Sequence, residues 1–99
     1  MTTPSESERL KNELNRLKTR KKDFVESPQQ QITTRLGELD ESIASVDPRP
    51  VTQQGNRSMY EHLVKLKEGI EHDPNAWVNY RIEQLNMKIR NVESELESL

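Results

Sequence analysis

The sequence contains no cysteine. That absence excludes disulfides, thiolate metal ligands and a cysteine nucleophile, and it is typical of a reducing compartment. Hydrophobic residues make up only 30% of the chain and aromatic residues 4%, against about 45–50% apolar residues, glycine included, in an ordinary soluble domain. No apolar run approaches the roughly 20 residues of a membrane span, and the opening MTTPSESERL lacks the apolar core of a signal peptide. We therefore expect a cytoplasmic protein with a thin core.

A large excess of one charge is also lacking. Charged residues form 32% of the 99 residues, but the net charge is only −2. The overall balance therefore gives no argument for nucleic acid as a partner or for an acidic tail. An electrostatic function, if present, must reside in a local cluster.

The strongest positive signal is the spacing of the apolar residues near the C-terminus. They recur at alternating steps of four and three, which is the seam of a heptad repeat. Two apolar residues per heptad suit helix pairing, whereas the face of a globular helix is wider. We predict that this seam forms a homodimer interface through Val78, Ile82, Leu85, Ile89, Val92 and Leu96.

Three further apolar stripes of the same kind precede this one, and no segment alternates as a strand would. Each stripe begins near residues that favour a helix start, such as an acceptor followed by proline or a capping box. These start signals are Thr3-Pro4, Ser27-Pro28, Asp73-Pro74 and the pair of Ser58 with Glu61. The chain is thus predicted to be one all-α domain over residues 1–99, with helices near 4–26, 28–46, 59–72 and 74–98 and a linker at 47–57.

Charge placement bears on the assembly of these helices. The last turn is acidic, and a helix C-terminus is itself the negative end of the helix dipole. If the first and last helices ran antiparallel, this turn would meet Glu6 and Glu8. A parallel arrangement would place it beside the basic end of the first helix. We therefore favour a coiled-coil-like bundle formed by an intertwined or extended homodimer over a closed monomeric bundle.

The basic part of the first helix has two interpretations. It can be a solvated face that pairs with the acidic C-terminal turn. It can also bind the phosphates of duplex RNA or DNA, a membrane surface or an acidic protein partner, through salt-sensitive contacts. No aromatic residue interleaves with the basic ones, so duplex is favoured over single strands. The candidate contacts are Arg9, Lys11, Arg16, Lys18, Arg20 and Lys22.

The only tryptophan and two of the glycines raise separate questions. Trp77 lies where one heptad frame gives way to the next, so it can fill the corner between the third and fourth helices. Alternatively, Trp77 and Tyr80 anchor a protein partner, since such residues are enriched in binding hot spots. Gly37 and Gly69 interrupt helical stripes, where they predict close helix approach or a flexible point.

Catalytic patterns find little support in this sequence. His62 and His72 lack metal-ligand spacing, and the glycines form no phosphate-binding loop. We predict no catalytic residue, no metal and no cofactor. The sequence therefore favours a non-enzymatic interaction protein, such as an adaptor, scaffold, chaperone or small inhibitor of the kind found in viruses and phages. It would bind itself and another protein; the alternative is a helical dimer that binds duplex nucleic acid.

Overall fold

The computed structural model describes residues 5–99. It contains four α-helices, α1 (Glu6–Glu26), α2 (Pro28–Ser45), α3 (Arg57–His72) and α4 (Pro74–Glu97), and a short 3-10 helix at Val51–Gln53. The all-α prediction with four helices is confirmed, and no strand occurs in the part of the chain that the structure describes. The helices divide into two compact units. One joins α1 to the part of α4 beyond residue 78, and the other spans residues 29–78.

The start of α1 shows a cap that the sequence analysis overlooked. Ser5 is the N-cap, and its Oγ accepts a hydrogen bond from the Glu8 amide at 3.2 Å. Ser5 and Glu8 have the spacing of a capping box, which satisfies backbone N–H groups that the first helical turn leaves unpaired. The predicted start at Thr3-Pro4 lies outside the described residues.

The predicted capping box of the third helix is wrong. Asn56 is the N-cap of α3, and its Oδ1 accepts from the Met59 amide at 3.3 Å. The Asn56 amide in turn donates to the Asp47 carbonyl at 2.8 Å, which fixes this residue outside the helix. Ser58 consequently lies inside the first turn. Glu61 accepts from Arg57 Nε at 3.1 Å instead of reaching back to a cap.

Single residues separate the helices at the other two junctions. The Ser27 amide donates to the Asp23 carbonyl at 2.9 Å, which closes α1 one residue before Pro28 begins α2. At the second junction the Asp73 amide donates to the Gly69 carbonyl at 3.2 Å, while Asp73 Oδ1 accepts from the Ala76 amide at 3.1 Å. Asp73 therefore ends α3 through its backbone amide and caps the start of α4 through its side-chain carboxylate.

In the first unit, α1 and α4 run antiparallel. The guanidinium of Arg81, early in α4, lies 5.7 Å from the ring centre of Phe24, late in α1. Glu95, late in α4, borders the same groove as Glu6 and Arg9, early in α1. The buried side chains of this unit are Leu10, Phe24, Leu85, Ile89 and Val92.

This direction corrects the parallel arrangement that charge had favoured, as far as a single chain is concerned. Glu95 does come close to Glu6, as an antiparallel pair requires, but Arg9 and Arg16 line the same groove. These two cations offset the repulsion between carboxylates that argued against the antiparallel pair. The apolar stripes of both helices can then pack together in the antiparallel direction.

The second unit is a helical hairpin of α2 and α3 with its own small core. Lys67 Nζ on α3 lies 2.5 Å from Asp40 Oδ1 on α2 and 3.7 Å from Glu71 Oε1. The hydrogen bond to Asp40 is the main reason why the pKa of Lys67 is raised. The buried side chains of this unit are Ile32, Leu39, Ile70 and Val78.

The predicted linker forms a closed loop between α2 and α3. The Gly55 amide donates to the Pro50 carbonyl at 3.1 Å, and a Cβ at Gly55 would collide with the backbone of Arg49. Asp47 accepts from the side chain and the amide of Arg49. The side-chain bond is the larger cause of the lowered pKa of Asp47.

Close helix approach at Gly37 and Gly69 is not observed. A Cβ built on either residue meets nothing within 4 Å. The interpretation of these glycines as packing sites within the chain is therefore wrong.

Candidate functional site

The heptad seam of α4 lies against the interior of the chain. Val78, Leu85, Ile89 and Val92 are between 5% and 8% exposed in the single chain, and Ile82 and Leu96 are half-buried. The seam therefore points to the core as its period predicts. Its assignment to a homodimer interface stays a prediction.

An intertwined dimer built on this seam would have to exchange helices between copies. Leu85, Ile89 and Val92 belong to the unit in which α4 pairs with α1. A second chain could reach them only by replacing α1 with its own α1, as in domain swapping.

The outer face of α4 exposes two large apolar side chains. Tyr80 is 57% exposed and Met87 is 60% exposed, and their separation of seven positions places both on one side of the helix. Gln84 lies between them and donates from Nε2 to the Tyr80 hydroxyl at 2.8 Å. Trp77, earlier on the same helix, is half-buried. Of the two predicted anchors, Tyr80 is the more accessible.

The basic residues of α1 are exposed and form two flanks. All six candidate contacts are exposed in the single chain, so none of these charges is buried in the core. Helical spacing places Arg9, Arg16 and Arg20 on the flank toward α4, where they border grooves with α4 residues. It places the second flank of Lys11, Lys18 and Lys22 on another side. Lys22 Nζ lies 4.0 Å from Glu26 Oε1.

A groove of about 930 Å³ follows one side of the α1–α4 pair. Three apolar residues contribute to it, namely Leu17, Leu85 and Val92, of which the last two are buried. The charged residues that line it are Glu13, Arg16, Arg20, Asp23, Arg81, Lys88 and Glu95. We call this feature the α1–α4 groove.

Two guanidinium groups of the α1–α4 groove share one aromatic ring. Arg20 lies 4.8 Å and Arg81 5.7 Å from the centre of the Phe24 ring, both within the range of a cation–π contact. Arg81 also donates from Nη1 to Gln84 Oε1 at 3.4 Å, but its buried Nε has no hydrogen-bond acceptor. Such a donor leaves part of the desolvation cost of the guanidinium uncompensated.

The sequence analysis missed Arg81 and Lys88 as site residues, although a signal for them existed. In the heptad frame of α4, with Ile82 and Ile89 at position a, Arg81, Lys88 and Glu95 all occupy position g. Residues at g flank the seam and face the neighbouring helix. The predicted site drew on the α1 cations alone, and the antiparallel pairing brings Arg81 and Lys88 to the same groove.

The described residues contain no group of three or more His, Asp or Glu side chains placed to hold a metal ion. Within residues 5–99, no helix is both long enough and apolar enough to cross a bilayer. Among the described residues, pKa shifts are found for Asp47, Arg49 and Lys67, which belong to the second unit.

Comparison with protein families, with curated proteins and with solved structures gave no match.

Proposed function

We propose that this chain is a non-enzymatic helical interaction protein that self-associates and binds a protein partner. The observation that carries this proposal is the outer face of α4, where Tyr80 and Met87 are more than half exposed. Tyrosine is enriched among the residues that dominate binding energy, and methionine adapts to varied partner surfaces. The seam on the opposite side of α4 is already buried, which leaves the outer face free to bind.

The small core supports the same proposal. Each unit pairs two helices, and among residues 5–99 each contains only four or five buried apolar side chains. A core of this size contributes little stability on its own. Covering Tyr80 and Met87 with a second surface would bury further apolar area, at roughly 25 cal/mol per Å².

Light scattering on two variants tests the self-association. In the first variant, Tyr80→Ser is combined with Met87→Ser; in the control, Val51→Ser changes a side chain that is 76% exposed in the α2–α3 loop. We expect the wild type and the control to form dimers at micromolar concentration. The first variant should be monomeric and keep its helical circular dichroism.

Two results would contradict this proposal. If the wild type stays monomeric at all concentrations, the proposed self-association is wrong. If the variant with Tyr80→Ser and Met87→Ser still forms a dimer, the outer face of α4 is not the dimer interface. The exchange of α1 between copies then remains as the route to a dimer.

A second candidate function is the binding of a duplex nucleic acid backbone through α1. The observation in its favour is the exposure of all six basic residues. The lysine flank, formed by Lys11, Lys18 and Lys22, suits phosphates better than the arginine flank, because Glu13 and Asp23 line the groove beside the arginines.

A mobility-shift assay with duplex RNA and duplex DNA at low and moderate salt tests this alternative. The affinity should fall steeply with salt, because phosphate contacts release counterions. Changing Lys11, Lys18 and Lys22 to Gln should abolish the shift, whereas Arg16→Gln with Arg20→Gln should weaken it less. Absence of a shift even at about 50 mM salt, where phosphate contacts are strong, would contradict duplex binding.

A further inference from the structure

The α1–α4 groove is lined by cations from both helices. Arg16 and Arg20 line its α1 side and Lys88 lies midway along its α4 side, between Arg81 and Glu95. The middle of the groove is therefore basic. Leu17, Leu85 and Val92 contribute apolar surface beneath these cations.

We propose that this groove binds an acidic amphipathic helix of a partner protein. An apolar stripe of that helix would lie on Leu17, and carboxylates on its flanks would pair with Arg16, Arg20 and Lys88. Helix-in-groove recognition commonly combines an apolar stripe with flanking charges in this way. This inference rests on the proposed function, because it names the chemistry of the protein partner.

The pair of arginines on Phe24 supports an acidic occupant. Arg20 and Arg81 both lie within 6 Å of the same ring, so two like charges are held near one another. A carboxylate on the partner helix would reduce the electrostatic repulsion between these two guanidiniums.

A second copy of the chain fits the groove less well. In a two-fold symmetric contact the middle of the groove meets the same region of the other copy. Lys88 would then face Lys88, with Arg16 and Arg20 of both copies nearby. This concentration of positive charge opposes such a dimer.

Nucleic acid also fits poorly, since Glu13, Asp23 and Glu95 line the groove among the cations. These carboxylates repel phosphates, whereas a partner helix can place its own basic residues opposite them. The groove runs along α4 from Arg81 to Glu95. At a rise of 1.5 Å per residue, a helix of about 15 residues would span this run.

A labelled synthetic peptide provides the probe. It is a helical peptide of about 15 residues with leucines along one face, glutamates flanking its middle turns and lysines flanking its two ends. A control peptide carries lysines in place of the glutamates. Fluorescence anisotropy measures binding to the full chain. We expect the glutamate peptide to bind with an affinity that falls as salt rises, and the lysine peptide to bind at least tenfold more weakly.

A matched pair of variants locates the binding. Arg20→Gln with Lys88→Gln removes two charges from the groove, and Lys11→Gln with Lys18→Gln removes two from the other flank of α1. We expect the groove variant to lose about tenfold in affinity and the flank variant less than about twofold. Amide chemical shifts of Leu17 and Lys88 should respond to the peptide.

Three results would overturn the inference: no binding of the glutamate peptide, equal binding of both peptides, or equal losses in both variants. Light scattering without peptide separates this failure from failure of the proposed function. If the chain forms the Tyr80 and Met87 dimer but the groove does not bind the peptide, the groove inference alone is wrong.

Discussion

Replacing Gly37 and Gly69 by alanine should stabilise the protein. Both residues lie inside helices, in α2 and α3, and neither has a positive φ. A Cβ on either meets nothing within 4 Å, so the new methyl group costs no steric strain. Alanine also loses less backbone entropy than glycine on folding, by about 0.5–1 kcal/mol per helical site.

The double variant should therefore raise the free energy of unfolding by about 1–2 kcal/mol if the two sites are independent. For a chain of this size, each kcal/mol corresponds to a rise of about 4–8 °C in the melting temperature. Urea unfolding followed by helical circular dichroism measures the change. It should be made at several protein concentrations, because self-association couples stability to concentration.

Gly55→Ala serves as the opposite control. A Cβ at this site would overlap the backbone of Arg49, so the loop would have to shift, and we expect a loss of about 1–3 kcal/mol. If Gly37→Ala or Gly69→Ala lowers the free energy of unfolding instead, the conclusion that a Cβ at that glycine meets no other atom is wrong. If either stabilises the monomer but weakens the dimer, that glycine lies at the contact between copies.

Three further substitutions and a titration test other parts of the structure. Leu39→Ala should cost about 2–5 kcal/mol in urea unfolding, because Leu39 is only 1% exposed; a cost below about 1 kcal/mol would contradict its burial. Met87→Ala should change the stability of the monomer by less than about 0.5 kcal/mol, since this side chain is exposed. Asp73→Ala should cost about 0.5–2 kcal/mol through the lost N-cap of α4, and Asp73→Asn should retain most of that stability. The pKa of Asp47 should lie below 3.8 and rise in Arg49→Gln; the depressed value contributes stability above pH 3.8 that is lost as the pH falls through the folded-state pKa.

Local chemistry determined how far the sequence predicted the helices. Asp73-Pro74 combines an acceptor with a proline, and α4 begins at Pro74 as predicted. The start of α3 was misassigned to Ser58, because Asn56 and Ser58 are both suitable caps. The hydrogen bond from the Asn56 amide to the Asp47 carbonyl favours Asn56 as the N-cap. Because this contact spans the loop, the spacing of nearby residues in the sequence does not predict it.

The groove illustrates a second limit, which is helix direction. The exposed basic residues of α1 were identified from the sequence, but charge alone favoured a parallel α4. Arg9 and Arg16 near Glu95 make the antiparallel pair acceptable, and the apolar stripes fit either direction. Only the pairing in three dimensions showed that Arg81 and Lys88 line the same groove as Arg16 and Arg20.

Sedimentation equilibrium of the wild-type chain tests the central claim, that this is a self-associating interaction protein, most directly. We expect a mass approaching twice the 11.6 kDa of the chain at micromolar concentration, with dissociation on dilution. A mass of one chain at every concentration would contradict the account.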